Sequence, residues 1–404
     1  MDHPFADIQY CEELFNRFYD VGGLTSGGVT RLGYTQTEDQ MHEIFSLLGR
    51  DLGCESFQDE VGNTYVGSTA RDGYYLIGSH LDSVIDGGRY DGVAGVIAGL
   101  MVLRWAREEG LPVPVRVGAF RCEESSNFGC CTIGSGLVTK ELHRQRVAGL
   151  VSRGGETLES IFESRGYSLD PPRISGLSGY LELHIEQGKV LEESGTAIGI
   201  VQTIAGPRRF KLYLRGLAEH SGATPMALRS DAMCAAAELI LEIERLGNKE
   251  AAYQTVATVG VVNSRPNVMN VIPGEVELGV DIRGIDLTSL DRIEAEIKDA
   301  ARRICARRNI EYMEEKLSEF PPVNMSGDVQ MGLERAAQHL GVSSRRMMSG
   351  AGHDAMAFPA LCETGMVFIP CLRGISHNRA EFASLSSICD GARVIYEYLK
   401  GAAV

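Results

Sequence analysis

The sequence predicts an α/β protein that carries a second, α+β domain inserted into the first. Three observations lead there. Strand-like and helix-like runs alternate through the first half; the pattern changes near Gly206 to β-α-β-β-α-β; and α/β character returns after Pro321-Pro322. A length of 404 residues is also too great for one ordinary compact core. The expected division is residues 1–206 and 320–404 as two parts of the larger domain, with 207–319 as the insert.

In the larger domain, Tyr74–Gly78 is a β-rich run that ends at His80. Val93–Arg107 is apolar and alanine-rich with helical spacing. Val113–Phe120 alternates like a strand and ends at Glu123-Glu124. Tyr180–Ile185 is a further strand, followed by Glu186-Gln187-Gly188. In the insert the expected order is strand Phe210–Arg215, helix Met226–Leu246, strands Thr255–Asn263 and Glu275–Arg283, helix Leu290–Arg308 and strand Ile310–Leu317. That order is the split βαβ sandwich. After it, Gly365–Pro370 reads as a strand delivering Ser376-His377-Asn378.

Composition excludes several classes. A formal charge of -15 lacks the basic face that nucleic acid requires. No stretch reaches about 18 uninterrupted apolar residues, so no membrane span is expected. Met1–Asp7 has no basic region followed by an apolar one, unlike a secretory signal. Ten cysteines without a CxxC pair read as reduced, mostly buried thiols of a cytoplasmic protein. Cys122 and Cys371 are the two placed near the candidate site.

The polar residues at the strand ends carry the chemistry. Open α/β sheets bind ligands beyond the carboxyl ends of their strands, where His80, Glu123-Glu124 and His184 fall. Imidazole and carboxylate together suit Zn²⁺, Mn²⁺ and similar ions. A two-ion site needs one bridging group, and Asp91, at the end of the flexible loop Asp86-Gly87-Gly88-Arg89-Tyr90-Asp91, fits that part. One ion then takes His80, Asp91 and His184; the other takes Asp91, Glu124 and His377. Glu123 is left free to act as a base. Asp82, two residues from His80 on an extended segment, shares its face and is placed to fix the imidazole tautomer. Singly, each residue has a plainer reading: a packed histidine, a solvated Glu-Glu pair, a turn aspartate. Those readings do not explain why each group follows an apolar strand. His42, His143 and His339 are read as surface or packing residues, and His353 stays open.

These residues resemble a known family. His80-Leu81-Asp82, Asp91-Gly92, Glu123-Glu124 and His184-Ile185-Glu186-Gln187-Gly188 are similar to the M20 metallopeptidase-like amidohydrolases. His220–Met226, Asn270–Gly274, Asp281-Ile282-Arg283, Gly350–Met356 and Gly374–His377 narrow the resemblance. The branch is that of N-carbamoyl-L-amino-acid hydrolases, allantoate amidohydrolases and β-ureidopropionases. The resemblance implies a two-metal aminopeptidase-like catalytic domain with an inserted ferredoxin-like lid and dimerisation domain. It implies two divalent ions per subunit, Zn²⁺ or Mn²⁺ with Co²⁺ or Ni²⁺ as further options, a ureido-acid substrate and a homodimer in the cytoplasm. It assigns His220 to the oxyanion, in its own or the partner subunit, and Gln187, Asn270, Arg283 and the backbone near Gly350 to substrate. Allantoate hydrolysis is the alternative, then a dipeptidase or N-acyl amino acid hydrolase. Ser221, Ala223, Pro207 and Asn378-Arg379 depart from the common pattern and bear on the substrate side chain.

Overall fold

The structure, a computed structural model, describes residues 4–402; Met1, Asp2 and His3 of the N-terminal segment read above lie outside the described residues. Contacts divide the chain into two units, Met1–Gln202 with Asn324–Val404, and Thr203–Val323. In chain order the strands are β1 (Glu55–Gln58), β2 (Thr64–Gly67), β3 (Tyr74–His80), β4 (Val115–Phe120), β5 (Leu177–Ile185), β6 (Ile198–Ile204), β7 (Gly206–Arg215), β8 (Val256–Arg265), β9 (Glu275–Gly284), β10 (Glu311–Glu319), β11 (Val323–Asn324), β12 (Ser344–Ser349) and β13 (Glu363–Ile369). Both contact boundaries fall inside strands, β6 and β11. The sequence reading set them at 206/207 and 319/320, because no change of hydrophobic pattern marks a crossing within a strand.

The larger unit is built on a 9-stranded sheet in the order β1-β2-β4-β3-β5-β13-β6-β11, with β12 beside β6. Its centre is parallel: β3 pairs with β4 and β5, and β5 with β13. Parallel strands need both faces covered, and the helix Val93–Glu108 explains how one face is sealed. Its residues from Val93 to Leu103 are all buried, which is why that segment is apolar on every side rather than striped. The C-terminal helix Leu385–Ala402 is amphipathic instead and buries Ile388, Val394, Ile395 and Leu399. A buried leucine or isoleucine in such a core is worth about 2–5 kcal/mol against alanine. Register fixes the site: His80 lies opposite Phe120, and Phe368 opposite His184. The carboxyl ends of β3, β4, β5 and β13 therefore finish near one level.

The smaller unit is a four-stranded sheet in the order β10-β7-β9-β8 with every neighbouring pair antiparallel. With its two helices this is the ferredoxin-like arrangement. Alternate residues Phe210, Leu212 and Leu214 of β7 and Val276, Leu278, Val280 and Ile282 of β9 pack on Leu239, Ile243, Ile293 and Ile297 of the helices. The first helix begins later than Met226. Met226–Leu228 is a separate 3-10 turn, and the helix runs Ala232–Glu250. Asp231 sets that start by accepting hydrogen bonds from the backbone N–H groups of Met233 and Cys234, a cap worth about 1 kcal/mol.

Candidate metal centre

His80, His184 and the Glu123-Glu124 pair are positioned by their strand ends. His80 closes β3, His184 is the penultimate residue of β5, and Glu123-Glu124 follow β4 within four residues. Asp91 enters through Gly92, whose φ of 67° leads directly into the buried helix. A Cβ at Gly92 would stand 2.6 Å from His80 Nδ1, so the close approach of the two segments requires glycine there.

Asp91 lies between two groups of ligand-capable atoms. Its Oδ1 is 3.4 Å from His80 Nε2 and 2.9 Å from His184 Nε2. Its Oδ2 is 3.4 Å from His377 Nε2, which is 3.1 Å from Glu124 Oε1. The triads His80–Asp91–His184 and Asp91–Glu124–His377 thus share one carboxylate through different oxygens. Glu123 belongs to neither triad; its Oε2 is 3.9 Å from His80 Nε2. Asp82 does more than the sequence suggests. Its Oδ1 is 3.3 Å from His80 Nδ1, and its two oxygens accept the N–H groups of Glu123 and Glu124 at 3.1 and 3.0 Å.

The donor set fits divalent cations. His184 Nδ1 donates to the Ile185 carbonyl at 2.9 Å, which leaves Nε2 as a lone pair facing a carboxylate oxygen. That buried Nε2 has no well-aligned hydrogen-bond partner, although it lies 2.9 Å from Asp91 Oδ1, and against the effect of burial Asp91 raises the imidazole above its usual value. A lone pair set against an anion needs a cation between them. The electrostatics agree. Against the effect of burial, Asp82, Asp91 and Glu123 push the His80 imidazole well above its usual value. Hydrogen bonds to Asp91 and Glu124 push His377 up to about 10. Burial, assisted by Glu124, raises the Glu123 carboxyl well above the usual range despite His80 nearby. The cluster is short of positive charge.

Other predicted residues have distinct placements. Gln187 Nε2 donates to Asp91 Oδ2 at 2.8 Å, so its amide is oriented by the Asp91 carboxylate, and its Oε1 is buried without a hydrogen-bond partner. Gly350 follows β12 in the larger unit. In the smaller unit His220 is exposed, and Ser221 N–H donates to the Asn270 carbonyl at 3.1 Å. His220 and Asn270 therefore sit together, beyond the start of β9, while Arg283 lies near its end and contacts Asp281 at 3.0 Å. Glu275 to Arg283 spans roughly 26 Å of strand. One copy of this unit holds these groups at opposite ends.

The sequence reading missed Glu38, Glu381 and Glu182 as parts of this neighbourhood and left His353 open. Glu38 accepts from the backbone of Cys122 at 2.8 Å and of Tyr34 at 2.6 Å. It steadies a residue at φ 53° just before the Glu pair. Glu182 accepts from Ser79, Tyr180 and the Ala355 N–H. His353 packs on His184 with ring centroids 4.4 Å apart. A glutamate inside an apolar strand was the available signal for Glu182; Glu38 looked like an ordinary first-turn acid. Burial pushes the Cys122 thiol well up and Cys371 up to about 11, so neither is primed as a thiolate.

Comparison with known proteins places this geometry. The model of peptidase family M20/M25/M40 matches residues 76–401. The chain belongs to that family. It is 36% identical over 400 residues to an N-carbamoyl-L-amino acid amidohydrolase of Geobacillus stearothermophilus, covering 95% of this chain and 97% of the relative. It is 32% identical over 386 residues to an allantoate amidohydrolase of Bacillus subtilis, covering 94% and 93%. Among solved structures, a hydantoinase/carbamoylase-family amidase from Burkholderia multivorans superposes with a TM-score of 0.91 at 31% identity over 98% of both chains. This M20 member is thus a hydrolase, and its curated relatives place it with those acting on carbon–nitrogen bonds other than peptide bonds.

Proposed function

We propose that this protein is a metal-dependent amidohydrolase that cleaves the ureido C–N bond of N-carbamoyl-L-amino acids or a similar ureido acid, releasing ammonia and carbon dioxide. The observation that carries the proposal is Asp91 shared between two ligand triads, with Glu123 beside them and in neither. His80, Asp91 and His184 would hold one divalent ion, and Asp91, Glu124 and His377 the other, Zn²⁺ or Mn²⁺. Such ions supply charge stabilisation for a carbonyl oxygen and acidify water. Glu123 takes a proton from water as it adds to the ureido carbonyl, then delivers that proton to the departing nitrogen as the C–N bond breaks. The carbamate left behind decays to ammonia and carbon dioxide. Asp82 holds the Glu123 and Glu124 backbone and the His80 tautomer throughout. Arg283 meets the substrate carboxylate with two parallel hydrogen bonds, joined by Gln187 and the backbone near Gly350.

The test is ammonia release from N-carbamoyl-L-amino acids, N-carbamoyl-β-alanine and allantoate with added Mn²⁺. Turnover of at least one, abolished by chelation and restored by the ion, is expected. Cleavage of dipeptides with no ureido substrate turned over would overturn the reading.

His220, as the oxyanion donor worth about 3 kcal/mol, and Asn270 act on the partner subunit's substrate, since Arg283 is a strand length away from them in the same unit. A homodimer through the smaller unit follows. Its outer strand β8 exposes Val256, Val261 and Val262, an edge that invites pairing. His220→Ala and Arg283→Ala are each expected to be nearly inactive. Mixed in equal amounts with subunit exchange, they should recover about a quarter of wild-type turnover, from the one intact site in each mixed dimer. No recovery in demonstrated mixed dimers would place His220 in its own subunit's site. Cytoplasmic residence is the reading that ten cysteines without a CxxC pair support.

A further inference from the structure

We infer that Glu381 is a positioning residue that sets the second ion site, by tying the Asp91 loop to the segment that bears His377. The inference rests on the two-ion reading above. Glu381 is buried, and its Oε1 accepts the backbone N–H groups of Tyr90 and Asp91 at 2.9 and 3.0 Å. Its Oε2 lies 3.0 Å from Ser376 Oγ, which is also 3.0 Å from Asp91 Oδ2. Ser376 has one proton for these two acceptors, so its hydroxyl lies between the two carboxylates and donates to one of them at a time. The loop approaches so closely that a Cβ at Gly88 would stand 2.1 Å from Glu381 Oε1.

This tie matters more for one triad than the other. The side chains of His80 and His184 are 1% exposed and sit in β3 and β5; the sheet itself fixes their spacing. His377 is 49% exposed and holds a left-handed φ of 53° outside any strand, a conformation a non-glycine residue keeps only when its surroundings impose it. Ser376 and Gln187 also link this segment to the Asp91 side chain, but Glu381 joins it to the backbone of Asp91, across 290 positions of chain. Its loss should loosen the Asp91–Glu124–His377 triad and leave His80–Asp91–His184 in place.

The experiment loads metal-free wild type, Glu381→Ala, Glu381→Gln and Ser376→Ala with Mn²⁺ or Zn²⁺ and measures ions per chain and both dissociation constants, with thermal unfolding of each metal-free protein. Wild type should bind two ions. Glu381→Ala should keep the first with near-normal affinity and weaken the second about 10- to 100-fold. Glu381→Gln keeps an oxygen for the two N–H groups and should recover much of that loss. If both ions weaken equally in step with a lower unfolding temperature, or if Glu381→Ala binds two ions as wild type does, the inference is overturned. Should Glu381→Ala fail to fold, unaltered second-ion affinity in Ser376→Ala overturns it equally. A wild type that binds no ion would instead sink the two-ion reading itself.

Discussion

Glu123→Gln is expected to keep both ions and lose turnover by about 10²- to 10⁴-fold, the usual worth of a positioned general base. The geometry separates the two effects. Glu123 contributes to neither triad, so metal content should survive, and the amide keeps the size and most contacts of the side chain. Its backbone N–H stays fixed to Asp82 at 3.1 Å, so the turn that carries Glu124 is undisturbed. What disappears is a carboxylate whose proton affinity burial and the neighbouring Glu124 have raised. Turnover measured alongside elemental analysis decides it: near-normal rates in a fully loaded variant would show that some other group is the base.

Asp91→Asn is expected to be more damaging still, because it strikes both triads at once. A neutral amide offers one oxygen and no charge where the native residue sets one oxygen toward His80 and His184 and the other toward His377. Ion content should fall below one per chain at concentrations that saturate wild type. Turnover should fall by about 10³-fold or more, on the scale of losing a preorganised electrostatic contact of about 4 kcal/mol. Retention of two ions with full activity would remove the bridging role and the mechanism built on it.

Much of this centre was legible in the chain because strand ends are. An apolar run that reaches or soon meets a histidine or acid, as for β3, β4 and β5, marks one edge of a parallel sheet, and the run of β13 leads on to His377 eight residues later. His80, Glu123-Glu124, His184 and His377 could be gathered from that alone, and the glycine-rich bend supplied Asp91. Glu38 and Glu381 were not legible for the same physical reason in each case. Each has backbone N–H partners far away in sequence, Cys122 for Glu38 and Tyr90 and Asp91 for Glu381, and an acid that binds distant backbone carries no pattern to distinguish it from a solvated one. The late start of the helix at Ala232 was missed because Met226 and Leu228 extend its apolar run, though both are in fact exposed; Asp231 held the decisive cap signal. The separation of His220 from Arg283 was legible only once β9 was seen to lie between them.

The way the second unit is attached has a consequence of its own. It leaves through β6 and returns through β11, which are neighbours in the host sheet, and just beside them Met325 N–H donates to the Gln202 carbonyl at 2.9 Å. About three-tenths of the polypeptide, Thr203–Val323, therefore departs and comes back through a doorway two strands wide. A module hung that way can be lengthened, exchanged or trimmed over evolutionary time as a cassette, while the host's strand order stays as it is.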